Sequence, residues 1–314
     1  MSPSRHGLLL VDKPAGPTSH EIVKTARRAL SERRIGHTGT LDPAATGLLV
    51  LCVGAATRLQ QYMLGWRKTY VGEIRLGFAT TTYDTEGEMI GEPAPVPALD
   101  AGRLAALEAR FSGELLQVPP AYSAKKVAGR KAYDMARAGE QVQLEPTAVT
   151  IYELTLTLAH LDRLAFRVVC SSGTYVRSLA HDLGQLLGCG GHLAMLRRTT
   201  IGPWDIADAV TAEALANRPE PLSERAWLDL AAVTLPFSDV TLNPTALAHF
   251  THGQEIAIRE ADGDFVPGQP IGIRARNRIL VGVGTVVAYS PRARTLNVAP
   301  HIVLAEVEAA RQSC

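Results

Sequence analysis

The sequence predicts an α+β body followed by a smaller β-rich module, and three observations carry that prediction. Segments such as "KTYVGEIRLG" and "RLAFRVVCSSG" alternate as strands do, with Tyr70, Gly72, Ile74 and Leu76 on one face of the first and Leu164, Phe166, Val168 and Cys170 on one face of the second. Between such strands lie segments with helical spacing, "TSHEIVKTARRAL" and "TYVRSLAHDLGQLLG". From about Asn243 the chain changes to short apolar runs separated by Gly, Pro and Asn, including "ILVGVGTVVAY".

In chain order, "TSHEIVKTARRAL" places Ile22, Val23, Ala26 and Leu30 on one side, and Thr18 with Glu21 has capping-box spacing, so a helix starts there. "LLVLCVG" reads as a fully buried strand, which delivers the preceding loop "GHTGTLDPAATG" to the edge of a core. The Pro-rich "EPAPVPALDAG" connects to a helix expected over Arg103 to Phe111. In "TYVRSLAHDLGQLLG", Val176, Leu179, Leu183 and Leu186 form the apolar side, which puts Tyr175 and Arg177 at a strand-to-helix junction and His181 with Asp182 on the exposed side. A domain boundary is expected near Pro236, giving a body over 1–236 and a module over 237–314.

Composition narrows the classes. The chain has 314 residues, 46% of them apolar, which suffices for one large or one large and one small core. No run approaches the ~18 uninterrupted apolar residues of a membrane span. The apolar segment in "MSPSRHGLLLVDKPAG" is too short for a signal peptide, so a cytoplasmic protein is expected. Cys52, Cys170, Cys189 and Cys314 lie far apart and read as packing thiols. The net charge of +1 hides local surpluses: "KTARRALSERR", the pair Arg197 and Arg198, and "YSAKKVAGRKAYDMAR", where Lys125, Lys126, Arg130, Lys131 and Arg137 face Asp134 alone. Each alone reads equally as a solvated face; together, with interspersed Tyr, they suit a phosphate backbone.

Several site patterns fail. Cys189 and His192 have the spacing of half a zinc site without the other half, so no metal is expected, and "GHTG" and "GVGTVV" are fragments of longer nucleic-acid and dinucleotide motifs. There is no phosphate-binding loop of the G-x-x-x-x-G-K-[ST] type and no G-x-S-x-G elbow. Asp42, in the glycine-rich loop, is by itself as good a turn former as a reactive carboxylate.

The surroundings of Asp42 decide between these. "GHTGTLDPAATGLLVLCVGAATR" resembles the catalytic motif of the TruB family of tRNA pseudouridine synthases, and four more segments resemble other motifs of that family in the same order: "LLLVDKPAGPTSHEIV", "KTYVGEIRLG", "VPPAYSAKKVAGRKAYDMARAG" and "CSSGTYVRSLAHDLGQLLGCGGHLAMLRR". The resemblance implies a mixed, mainly antiparallel catalytic sheet of pseudouridine synthase type, an RNA-contacting insertion over about 117–147, and a PUA-like C-terminal module. It implies isomerisation of a T-loop uridine in tRNA, with no cofactor, no protein partner and a monomer as the working form.

By matching motifs, Asp42 is the catalytic carboxylate, Tyr70 the aromatic that stacks on the base, and Arg177 the guanidinium paired with Asp42. His37 contacts the flipped nucleotide or takes its place, Tyr175 lies beside the uracil, and Leu196 lines its pocket. Lys125, Lys126, Arg130 and Lys131 hold the T-arm backbone. One departure stands out: Ala79 and Thr81 replace an arginine and an aspartate of the family pattern, which leaves open whether a secondary charge network forms beside Arg177. The module carries no basic surplus, since acidic and basic residues nearly balance from Arg218 onward. The same core occurs in catalytic subunits of guide-RNA particles, and a non-catalytic RNA chaperone is a further alternative.

Overall fold

The computed structural model describes residues 6–123, 125–127, 129–140, 144–217 and 225–304. Its frame is an 11-stranded sheet whose main path runs Val210–Thr211, Gly7–Lys13, Thr46–Val53, Gly191–Ile201, Lys68–Leu76, Arg163–Cys170, Thr147–His160 and Gly113–Gln117. Pairing is antiparallel except where the Gly7 strand meets the Val210 strand and the Thr46 strand meets the Gly191 strand. A second sheet of five strands is ordered Asp239–Thr241, Pro270–Arg274, Leu280–Ser290, Thr295–Val303 and Ile256–Arg259.

The alternation read from sequence is the alternation observed: Tyr70, Ile74 and Leu76 are buried with Leu164, Phe166, Val168 and Cys170 in one cluster. Against it packs the helix Val176–Leu186, through Val176, Leu179 and Leu183. Leu186, expected on that apolar side, is exposed instead, because Leu187, four residues after Leu183, takes the next place in the buried cluster. The helix expected over Arg103 to Phe111 spans Ala101–Arg110, because Asp100 accepts the Arg103 N–H at 2.8 Å and so caps an earlier start. Thr18 and Glu21 form the expected capping box at the start of the helix Ser19–Ala29.

The Gly7 and Thr46 strands are buried on both faces. Leu9, Val11, Leu49, Leu51 and Val53 pack under the Ser19 helix, while Leu8, Leu10, Leu48, Val50 and Cys52 face a different cluster. That second cluster includes Leu280, Val283, Ile302 and Leu304, so the five-stranded sheet shares a core with the large one. Each leucine fully withdrawn from water contributes about 1.5–3 kcal/mol. Cys52, Cys170 and Cys189 are buried free thiols, and Cys314 lies outside the described residues.

Two glycines set the distances on which the site depends. Gly47 has φ +108°, and a Cβ there would meet the Arg198 carbonyl oxygen at 2.2 Å, so only glycine lets the Thr46 strand join the Gly191 strand at that point. Gly184 lies against Gly191, where a Cβ would come within 2.1 Å of the Gly191 nitrogen, and this close approach seats the Val176 helix on the sheet. Gly47→Ala combines a strained backbone with a collision that no rotamer relieves. It is expected to cost about 2 kcal/mol or more of stability, read from the midpoint of urea denaturation.

Candidate active site

The loop from Gly39 to Ala45 puts only Leu41 and Ala45 into the core, and the rest of its shape is imposed by polar contacts from outside. Ser19, at the start of its helix, donates its hydroxyl to the Leu41 carbonyl at 3.0 Å and accepts the Leu41 N–H at 2.8 Å. Gly16 donates its N–H to the Pro43 carbonyl at 2.9 Å. The Lys13 ammonium, fully buried, donates to the carbonyls of Pro14, Pro43 and Ala45 at 2.9, 3.1 and 2.6 Å. From the opposite side Arg198, 1% exposed, donates to the carbonyls of Leu48 at 2.7 Å, Gly39 at 3.0 Å and Thr40 at 3.4 Å. A glycine-rich loop held by two buried cations and a serine is rigid where its composition alone would leave it loose.

The result is a carboxylate held at one oxygen. Oδ2 of Asp42 lies 3.1 Å from Nε of Arg177, while the side chain stays 47% exposed. Arg177 is nearly buried, and its other nitrogens are taken: Nη1 donates to Asp84 Oδ2 at 3.3 Å and to the Thr82 carbonyl at 3.2 Å, and Nη2 to the Tyr122 carbonyl at 3.0 Å. The structure answers the question left open by Ala79 and Thr81. Thr81 in place of an aspartate does not remove the charge network, because Asp84, three residues on, supplies the carboxylate. Thr81 instead accepts the Glu88 N–H through its hydroxyl, and Ala79 is buried in a short hairpin. Asp84 was missed although "TTTYDTEG" ends in an acidic turn of the kind that holds a guanidinium.

Around this pair opens a cleft of about 610 Å³, lined by Asp42, Tyr70, Tyr175, Arg177, Leu196 and Arg198 among others. Five of the six residues singled out as catalytic or base-contacting thus come together from four separate segments. His37 does not line the cleft; it is half-buried at the end of a short strand, where its Nδ1 accepts the Gly39 N–H at 3.3 Å. Burial, then Arg198 and His20, push its pKa below the ordinary histidine value. Tyr175 is fixed through its backbone, since the Gln117 side chain accepts its N–H at 2.7 Å and donates to its carbonyl at 3.0 Å. Tyr70 is buried on the cleft floor, and that burial raises the pKa of its phenol. Lys68 also lines the cleft and donates to the carbonyls of Leu64 and Trp66 at 3.1 and 2.9 Å.

The basic segment is a two-stranded hairpin, Lys126–Val127 with Arg130–Lys131, followed by the helix Ala132–Arg137. Two of its cations have protein partners. Lys125 donates to the Thr147 hydroxyl at 3.0 Å, and Arg130 grips Glu140 through two bonds of 3.0 and 2.7 Å. The side chains of Lys126 and Lys131 lie outside what the structure describes. Asp134 and Ser123 from this segment reach the cleft lining.

Comparison with known proteins gives a consistent result. Residues 27–176 match the family model described as TruB family pseudouridylate synthase (N terminal domain), and residues 177–237 match that of the tRNA pseudouridylate synthase B C-terminal domain. The chain is 45% identical over 276 residues to a tRNA pseudouridine synthase B of Burkholderia lata, covering 87% of this chain and 85% of that one. It is 45% identical over 283 residues to the protein of the same name from Leifsonia xyli subsp. xyli, covering 88% and 91%. Among solved structures it is similar to a chain of a Cbf5-Nop10-Gar1 complex, with a TM-score of 0.76, 25% identity and coverage of 98% and 87%. A chain of an H/ACA RNP bound to a substrate RNA gives a TM-score of 0.74 at 24% identity, a likeness of fold.

The buried lysines have a measurable signature. Desolvation lowers the pKa of Lys13 and of Lys68 from 10.5 to about 8. Between those values the unfolded chain holds the protons that the folded chain has released, so the contribution of each lysine to stability rises with pH from about 8 to 10.5 and is least favourable below 8. Measured from pH 7 to 10, the denaturation midpoint of the parent is expected to rise relative to that of Lys68→Met, which lacks the titrating group.

Proposed function

Because the chain belongs to the TruB family of pseudouridine synthases and is thereby an isomerase that converts uridine in tRNA to pseudouridine, we propose that its target lies in the T-loop and that Asp42 is the essential carboxylate. The observation that carries the assignment is the half-open Asp42: one oxygen rests on Arg177, and Oδ1 has no partner among the described residues. A carboxylate so arranged keeps its orientation while leaving a nucleophilic oxygen to the cleft.

The reaction breaks the bond from ribose carbon 1′ to ring nitrogen 1, turns the base, and joins carbon 1′ to ring carbon 5, whose proton leaves to solvent. A base stacked in a folded loop must first be extruded, at a cost of a few kcal/mol. The cleft offers recovery through contact: the Tyr70 ring on the floor, Leu196 beside it and Tyr175 at the rim are apolar surfaces of the size of a pyrimidine face. Enclosure also keeps the detached base from escaping. His37, outside the lining, is assigned to the nucleotides flanking the extruded one.

Residues 1–236 form the catalytic body in this reading, with the insertion around 117–147 and the module 237–314 as RNA contacts. The chain works as a monomer on tRNA without a guide or protein partner; likeness over 87% and 88% of the chain to relatives named tRNA pseudouridine synthase B supports the action on tRNA. Lys125, Lys126, Arg130 and Lys131 hold phosphates of the T-arm, and the Arg130–Glu140 pair gives way to phosphate on binding.

Two measurements test this. With uridine tritiated at carbon 5, Asp42→Asn is expected to lower label release by at least about a thousandfold while tRNA affinity changes little; turnover near the parental rate would refute the assignment. Replacing Lys125, Lys126, Arg130 and Lys131 by alanine is expected to weaken tRNA binding and to lower the slope of log affinity against log salt by roughly one unit for each phosphate that these side chains neutralise. An unchanged slope would make these cations solvated surface and would direct attention to the Ser19 helix.

A further inference from the structure

The sequence placed His181 and Asp182 on the exposed side of the Val176 helix, whereas both are half-buried. The His181 ring is stacked on Tyr83, with centroids 3.9 Å apart and planes 14° from parallel. Its Nδ1 is buried without a hydrogen-bond partner, and no hydrogen bond holds the ring among the described residues. The imidazole is therefore kept by its faces alone.

Tyr83 is unusual in its own right. Its φ is +63°, a left-handed conformation that a bulky aromatic residue seldom adopts and that requires outside support. Support comes from three sides. The Tyr83 N–H donates to the Thr80 carbonyl at 3.2 Å, its carbonyl accepts the Leu193 N–H at 2.9 Å, and its ring lies on His181. The next residue is Asp84, which forms a bridge to Leu193 and takes the Thr80 hydroxyl on its carbonyl at 2.6 Å. Its carboxylate and the Thr82 carbonyl both accept from Arg177.

Helical spacing joins these facts. Arg177 and His181 are four residues apart, so they project from one side of the helix toward the same loop. One prong takes Thr82 and Asp84, and the other takes Tyr83 between them. We infer that the Tyr83–His181 stack is a positioning device: it locks the strained loop from Thr80 to Asp84 so that Asp84 and the Thr82 carbonyl aim the Arg177 guanidinium at Asp42. Tyr83 and His181 touch no substrate; they act on the isomerisation through Arg177. The inference rests on the assignment of Asp42 and Arg177 given above.

The test uses single-turnover release of carbon-5 label from saturating tRNA, alongside tRNA binding. His181→Leu fills the space without a flat ring and is expected to slow the step roughly tenfold or more with tRNA affinity within about twofold, whereas His181→Phe restores the rate. Tyr83→Gly accepts the positive φ and deletes only the ring, so it repeats the loss whether or not the His181 variants fold well. In an Asp84→Asn background, where the guanidinium is already without its carboxylate, His181→Leu should cost no more than about threefold further. A parental rate in both His181→Leu and Tyr83→Gly, a His181→Phe as slow as His181→Leu, or an undiminished loss in the Asp84→Asn background would each overturn the inference. An active Asp42→Asn would instead overturn the catalytic assignment beneath it, which keeps the two failures apart.

Discussion

The contact between Nε of Arg177 and Oδ2 of Asp42 is the point on which the molecule converges, since each partner arrives on a different piece of chain and neither is positioned by its own neighbours. Asp42 sits in a loop that the Ser19 hydroxyl, the Lys13 ammonium and the Arg198 guanidinium hold by its backbone. Arg177 starts a helix whose seat on the sheet depends on the approach of Gly184 to Gly191. A shift of either support by an ångström separates the pair, and such misplacement is what costs an enzyme rate.

The electrostatic setting is lopsided. Lys13, Lys68, Arg177 and Arg198 are buried around one half-exposed carboxylate, with Asp84 on Arg177 and Asp134 on the cleft lining as further acids. Burying so many cations is unfavourable in isolation. All four donate to backbone carbonyls, which answer the positive charge while leaving the acidic side chain of Asp42 uncommitted at one oxygen. The cleft is in this way prepared for a polyanionic substrate without a surplus of charge over the chain as a whole, whose net charge is +1.

Much of this was legible in the sequence, for identifiable reasons. Strand alternation at Tyr70 to Leu76 and at Leu164 to Cys170 has a period of two that only a half-covered sheet explains, and the Thr18–Glu21 capping box is a local signal with a local cause. The residues missed are those whose partners are distant. Asp84 finds Arg177 across 93 positions, Arg198 finds Gly39 across 159, and Lys13 finds Ala45 only because the Gly7 and Thr46 strands pair. Nothing near His181 announces Tyr83 either. Local periodicity assigns an edge residue of a helix to solvent unless the fold brings a loop over it.

The apolar cluster shared by the two sheets fixes the place of the five-stranded one. Leu280, Val283, Ile302 and Leu304 cover Leu8, Leu10, Leu48 and Val50, and the Arg58 guanidinium donates to the Val303 carbonyl at 2.5 Å. The Leu280 N–H is taken by the Leu230 carbonyl at 3.0 Å, and Arg274 ties down the connecting segment at Ala231 and Val233. A sheet so joined is a wall of the shared core more than an appendage on a tether. A gene ending near Pro236 would strip Leu280, Val283, Ile302 and Leu304 from that cluster and open part of its apolar surface to water, and the chain would tend to aggregate before its cleft ever met an RNA.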